Sequence, residues 1–280
     1  MLLVAGCEGG EEKQARTAGE RAALEGRPEP QSHAPPSPPA EPPPARKIDC
    51  LRVRCVALTF DDGPGPHTAR LLDTLKKGGV RATFFLLGKS VREHPEVVRR
   101  MVLDGHEVAN HTWSHPDLTG LPPAGVKSEI ERTQKAVKEA SGVEPALMRP
   151  PYGATDEGVR RAVGLPQILW SVDTKDWRYR SADRGARIGI NKPVGGDIVL
   201  YHDTHKSTVD CIPEVVDGLS DRGFTFVTVS ELFRGERLQP GESYTDRAVE
   251  KTPAVREPRP GQESGAVSTP PPSSGAPAAP

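Results

Sequence analysis

Between residues 47 and 237 apolar positions recur in two alternating rhythms, one short and nearly continuous, the other spaced at three and four. The short runs are Val53–Phe60, Ala82–Leu87, His106–Ala109, Ala146–Met148, Gln167–Trp170, Asp197–Val199 and Phe224–Val229. They are rich in branched and aromatic side chains and predict strands. The spaced patterns predict amphipathic helices. They are His67–Lys77 (Leu71, Leu72, Leu75), Pro95–Leu103 (Val97, Val98, Met101, Val102), Pro123–Ala140 (Val126, Ile130, Val137) and Thr208–Arg222 (Ile212, Val215, Val216, Leu219). Prolines at helix starts and glycines such as Gly78 and Gly142 at helix ends fit the usual punctuation. Strand and helix alternate throughout, which predicts an α/β fold built on a parallel sheet or barrel.

The rhythm stops outside this region. Of the 30 prolines, 18 fall in residues 1–47 and 238–280, whereas 12 of the 13 aromatic residues lie between. Segments without core-forming side chains do not recover the entropy of ordering. We therefore expect one folded domain over 47–237, a Pro/Ala/Glu-rich disordered linker over 8–46 and a disordered Pro/Ser/Gly tail over 238–280. Net charge is −1, with no basic cluster, which argues against a nucleic-acid partner.

The strand ends carry the chemistry. Val53–Phe60 runs into Asp61-Asp62-Gly63-Pro64. Successive strand side chains point in opposite directions, so the two carboxylates have different tasks; one can bind a metal while the other faces a substrate. His111-Thr112-Trp113-Ser114-His115 follows another strand and places two imidazoles at i and i+4, one face of a helical turn, before Pro116 stops any helix. Two histidines and one aspartate form a three-ligand set with positions left for water and substrate, as in catalytic metal sites. Arg149-Pro150-Pro151-Tyr152, Asp173-Thr174-Lys175-Asp176-Trp177 and Leu200-Tyr201-His202-Asp203 complete the constellation, again after apolar runs. In β/α barrels the reacting groups sit on loops at the strands' C-terminal ends.

In order and spacing these five blocks resemble the motifs of the NodB-homology polysaccharide deacetylases, carbohydrate esterase family 4, over roughly Val53 to Leu232. The resemblance implies a distorted (β/α)7-8 barrel and metal-dependent removal of acetyl groups from polysaccharide. It implies Asp62, His111 and His115 as ligands of a divalent metal, zinc first among the transition metals. By the same resemblance Asp61 would be the general base, oriented by Arg149, and His202 the general acid. Asp176 would either tune His202 or hold Arg149. The Tyr152 backbone N–H would help hold the oxyanion, while Trp177 and Leu200 would wall the acetyl-methyl pocket. Peptidoglycan, chitin oligomers and acetylated xylan all remain open as substrates. A small-amide hydrolase and an inactive carbohydrate-binding lipoprotein are the alternatives.

Leu3-Val4-Ala5-Gly6-Cys7 looks like a lipobox, which would make residues 1–7 the truncated end of a lipoprotein signal. The expectation is a start further upstream and a lipid anchor at Cys7 as the membrane contact of an extracytoplasmic monomer. Cys50 and Cys55 could close a small disulfide if the chain turns near Arg52. Cys211, inside a helical pattern, reads as a buried small hydrophobe.

Overall fold

A computed structural model of the protein describes residues 43–44 and 46–247. The lipobox, most of the expected linker and the end of the expected tail lie outside them. The first half comprises β1 (Cys55–Asp61), α1 (Thr68–Lys77), β2 (Thr83–Leu86), α2 (Gly88–Glu93), α3 (Pro95–Leu103), β3 (Glu107–Asn110) and α4 (Pro123–Ser141). Next come α5 (Glu157–Val163), β4 (Gln167–Ile168), β5 (Val172–Asp173), α6 (Asp176–Tyr179) and α7 (Ala182–Asn191). The remainder is β6 (Ile198–His202), α8 (Lys206–Asp221), β7 (Thr225–Phe226), α9 (Val229–Leu232) and β8 (Ser243–Tyr244).

Five strands pair in parallel in the order β3-β2-β1-β6-β5, and β7 adds to the start of β1. Isolated bridges carry the arc onward from Asn110 through Met148 to Gln167 of β4. The two ends, Ile168 and Val172, are thus separated in sequence only by Leu169, Trp170 and Ser171, and the arc curls into a distorted barrel.

Alternation along the strands decides what enters the barrel. On β1, Val56, Leu58 and Phe60 pack outward with Leu71, Leu72 and Leu75 of α1 and with Val209, Ile212 and Val215 of α8. Ala57 faces the interior with Phe85, Ala109, Ile168 and Ile198. The same inward phase carries Thr59 and Asp61, so a carboxylate emerges at the mouth of the barrel. Phe60 stacks between Phe84 and Tyr201, at centroid distances of 5.3 and 5.9 Å, which locks the three central strands.

Three differences from the sequence reading have identifiable physical causes. The run Phe224–Val229 is cut short because Thr228 caps α9, with a reciprocal capping box to Glu231. The helix α7 escaped the periodicity because its buried face is Gly185, Ala186 and Gly189 rather than branched aliphatics. A Cβ at Gly189 would lie 1.8 Å from the Tyr201 hydroxyl, so the small face is what lets the helix seat on β6. Finally, the fold extends past the expected boundary at 237. Backbone from β8 pairs with β4, Tyr244 packs on Phe233, and Arg247 donates to the Leu232 carbonyl at 2.7 Å and to Glu236 at 2.7 Å. Cys50 and Cys55 form a disulfide across the turn at residues 50–52, with Cα atoms 5.4 Å apart, and Cys211 is buried on α8.

Candidate active site

Register brings the strand-end residues together. Asp61 is the Cα partner of Phe85 on one side and of His202 on the other, and Asp173 pairs with Leu200. Asp61, Asp62, His111, His115, Pro150, Tyr152, Trp170, Asp173, Trp177, Leu200 and His202 line one cleft of about 480 Å³ at the strands' C-terminal ends. Of the ten site residues expected from the sequence, eight are in that wall. Arg149 and Asp176 stand directly behind it.

The two adjacent aspartates diverge as strand geometry requires. Asp61 ends β1 and is buried. Its Oδ1 accepts a 2.7 Å hydrogen bond from Arg149 Nη1, and its Oδ2 lies 3.8 Å from His111 Nε2. Asp62 leaves the strand at φ 73°, the left-handed region that aspartate tolerates better than most side chains. Its Oδ1 stands 3.5 Å from both His111 Nε2 and His115 Nε2.

These spacings are too long for hydrogen bonds and suit an ion between them. Two ligand atoms each about 2.1 Å from a tetrahedral centre lie about 3.4 Å apart. All three ligand atoms fall within 4.8 Å of one another, and Asp62 Oδ1 is buried without a hydrogen-bond partner among the described residues. The His111 Nδ1–H donates to the Arg149 carbonyl at 2.7 Å, which leaves Nε2 with its lone pair toward Asp62. Burial resists charge on Asp62, but the imidazole of His111 beside it, with His202 and His115 beyond, outweighs burial and holds its carboxyl down at about 2. Burial and the neighbouring His111 push His115 down, favouring the neutral ring a metal needs. The donor set fits a divalent transition metal.

The histidine pair departs from the helical turn its spacing suggested. Residues 111–115 form an irregular loop with Thr112 at φ 70° and His115 at φ 63°. The imidazoles still converge, at a centroid distance of 5.0 Å.

Arg149 is completely buried, and every nitrogen of its guanidinium donates at least one hydrogen bond. Nε donates to the Ile168 carbonyl at 2.9 Å, Nη2 to the Leu169 carbonyl at 2.8 Å, and Nη1 to Thr59 Oγ1 at 2.9 Å as well as to Asp61. The Phe85 ring lies 4.0 Å below it. None of these bonds reaches Asp176, which resolves the alternative left open by the sequence. Asp176 Oδ1 instead accepts from His202 Nδ1–H at 2.9 Å, and Oδ2 accepts from the His202 backbone N–H at 2.7 Å and from Thr208 Oγ1 at 2.6 Å. Burial lowers the His202 pKa, but the Asp176 hydrogen bond and charge, with Asp61 and Asp62 beyond, raise it to about 9.

Sequence reasoning overlooked several supporting groups. Thr59 was visible as the residue two before Asp61, in the same inward phase. Asp203 was quoted in its block but given no task; it is buried under the Gly63 turn, and Thr68 donates to it. A Cβ on Gly63 would lie 2.4 Å from Asp203 Oδ2, so only glycine permits that approach. Burial pushes the Asp203 carboxyl up to about 7. Thr208 gave no sequence signal, because it acts from a helix remote from Asp176.

Residues 49–165 match the family model described as polysaccharide deacetylase. The chain is 46% identical over 193 residues to the peptidoglycan-N-acetylglucosamine deacetylase PgdA of Listeria monocytogenes, an alignment covering 69% of this chain and 41% of that protein. It thus spans about two-fifths of the length of that relative. The chitooligosaccharide deacetylase of Bradyrhizobium sp. is 37% identical over 203 residues, covering 66% of this chain and 93% of that protein. Among solved structures, a family 4 acetyl xylan esterase from Clostridium thermocellum, in complex with a cobalt ion, superposes with a TM-score of 0.66. It is 33% identical and covers 69% of this chain and 98% of its own.

Proposed function

The chain belongs to the polysaccharide deacetylase family, and from that premise we propose that it removes acetyl groups from an N-acetylated cell-wall polysaccharide, with Zn²⁺ held by Asp62, His111 and His115. One observation carries this reading. A carboxylate and an imidazole, Asp61 and His202, are register partners on neighbouring strands beside the ligand triad, each held by its own buried counter-charge.

When bound, the metal lowers the pKa of water toward about 7 and polarises the acetyl carbonyl. Asp61 takes the proton of the attacking water through Oδ2, because Arg149 occupies Oδ1. The Tyr152 backbone N–H, in the turn Pro151–Gly153, donates to the developing oxyanion. Expulsion of an amine requires a proton. His202 carries one at neutral pH, because Asp176 raises it to about 9, and delivers it from Nε2 since Nδ1 is engaged. Leu200 and Trp177 wall the acetyl methyl. At the rim, the exposed rings of Tyr152 and Trp177 offer faces on which sugars of a polymer stack.

In this reading the enzyme works as a monomer outside the cytoplasm, tethered by lipid at Cys7, with residues 8–46 as the spacer toward the wall. The Cys50–Cys55 disulfide supports an oxidising compartment. Expression in the native host with Cys7→Ser tests the tether; equal partition of parent and variant into the soluble fraction removes it. The activity is tested by acetate release from peptidoglycan, chitooligosaccharides and acetylxylan, with and without chelator. Release from the first two that chelator abolishes and Zn²⁺ restores is expected. Release that survives metal removal sinks the mechanism, and release from xylan alone sinks the N-acetyl assignment.

A further inference from the structure

The loop that carries both histidines is strained. Thr112 and His115 both sit at positive φ, the left-handed region that side chains other than glycine disfavour. Such a loop keeps its shape only if its surroundings impose it. Internal bonds supply part of this. The Thr112 N–H donates to Asn110 Oδ1 at 2.8 Å, and the His115 N–H donates to Thr112 Oγ1 at 3.1 Å. The Thr112 and Trp113 carbonyls accept the Gly88 and Lys89 N–H groups at 3.0 and 3.1 Å, but none of these bonds satisfies the N–H groups of Trp113 and Ser114.

One side chain does. Glu129, on the second turn of α4, turns its carboxylate under the loop. Its Oε2 accepts the Trp113 and Ser114 N–H groups, each at 2.8 Å, and its Oε1 accepts the Ser114 hydroxyl at 3.1 Å. The helix itself is tied to the preceding strand, because Asn110 Nδ2 donates to the Ile130 carbonyl and to Gln134 Oε1, both at 3.0 Å. Arg132 of the same helix lies 4.1 Å from the centroid of the Trp113 ring. No cation pairs with Glu129 among the described residues, so its charge is taken up by these loop donors.

We propose that Glu129 is a positioning residue for the metal centre, setting His115 Nε2 through the Trp113-Ser114 peptide. This rests on the reading of Asp62, His111 and His115 as metal ligands. His111 has its own restraint in the Arg149 carbonyl. Among the described residues the His115 ring has no hydrogen bond of this kind, only an edge-on contact with Tyr152 at 4.6 Å between centroids, so it depends on its backbone and is the ligand that Glu129 controls. Glutamine at 129 keeps the length and can turn the Ser114 hydroxyl round to accept from its amide, but it replaces charge-assisted bonds to the Trp113 and Ser114 N–H groups by weaker neutral ones. Outer partners of this kind contribute about 10–100-fold in metal affinity.

The test uses Co²⁺ as a visible probe, titrated into the metal-free protein in competition with a chelator. For Glu129→Gln we expect Co²⁺ binding weaker by about 10–100-fold and altered visible bands. At saturating Co²⁺, kcat returns and KM is unchanged. Glu131→Gln, on the solvent face of α4, should titrate like the parent. A residue that only supported the fold would lower the melting temperature of the metal-free protein and leave the titration in place. Parent-like affinity and spectrum in Glu129→Gln overturn the proposal. Should Glu129→Gln not fold, Ser114→Ala removes the hydroxyl donor alone, and the same overturning result applies if it binds like the parent rather than severalfold more weakly. A parent that takes up no Co²⁺ removes the metal reading and this proposal together. A parent that binds with an unaffected variant removes only the role of Glu129.

Discussion

Replacing the adjacent aspartates one at a time should produce opposite phenotypes. Asp61→Asn keeps the side chain's size and an oxygen for Arg149 Nη1 but removes the only carboxylate on a guanidinium that is fully buried. Stranding a buried charge costs about 3–5 kcal/mol. The low end applies, because Thr59, Ile168 and Leu169 still satisfy the other donors. With a urea slope of about 2 kcal/mol per molar, a loss of about 3 kcal/mol lowers the unfolding midpoint by about 1.5 M. Metal uptake should persist, since the ligand triad is untouched, while turnover falls by roughly 10²–10⁴ for loss of the base. Asp62→Gly does the reverse. Glycine accepts φ 73° without strain. It removes a ligand that shares no hydrogen bond with Arg149, so the chelator-treated protein should unfold within about 1 kcal/mol of the parent. Metal and activity should disappear together. The assays are urea unfolding in chelator, metal content after dialysis, and acetate release. Near-parent turnover in Asp61→Asn, or metal loss as complete as in Asp62→Gly, would show that both carboxylates are ligands and that the base lies elsewhere.

Asp176→Asn should move the alkaline limb of the kcat/KM profile from near pH 9 toward the ordinary imidazole range, about 6.5, because burial then acts on His202 with less opposition. The sign for stability follows from a raised folded pKa. The pair's contribution is complete below pH ~6.5 and is lost as pH rises through about 9, so the variant should be destabilised more at pH 6 than at pH 10; an unmoved limb refutes the pairing. A fragment ending at residue 247 should fold, whereas one ending at 237 should melt at lower temperature, having lost β8 and the Arg247 bonds to Leu232 and Glu236; equal melting curves would return the boundary to 237. Replacing Cys50 and Cys55 by serine should cost about 2 kcal/mol in chemical unfolding, the value for closing so short a loop; a change below ~0.5 kcal/mol would make the bridge dispensable.

The elements and most of the residues that line the cleft were legible in the sequence because each is written within a window of a few residues. The apolar runs and the 3-4 spacing located most strands and the helices α1, α3, α4 and α8. Alternation through Thr59-Phe60-Asp61-Asp62 separated the two carboxylates before any coordinate did. Cys50 and Cys55 were close enough in sequence for their pairing to be weighed. What failed locally did so where a small residue replaced an apolar one, as on α7, or where a cap overrode an apolar run, as at Thr228.

The partners were another matter, because they join positions far apart in the chain. Asp176 had two possible tasks on paper. Only the register of β6 against β1, and the approach of Thr208 on α8, decide that it serves His202 rather than Arg149. The His-x-x-x-His spacing located two converging imidazoles but misjudged their backbone, because the pull of Glu129, sixteen residues beyond Trp113, holds a left-handed loop that local propensity disfavours. The end of the domain was equally invisible, since Ser243–Tyr244 becomes a strand only by pairing with Gln167–Ile168. Side-chain type and periodicity are local properties and survive in a linear string. Charge pairing, strand register and support for a strained loop depend on the packing of distant elements, and only the folded chain determines them.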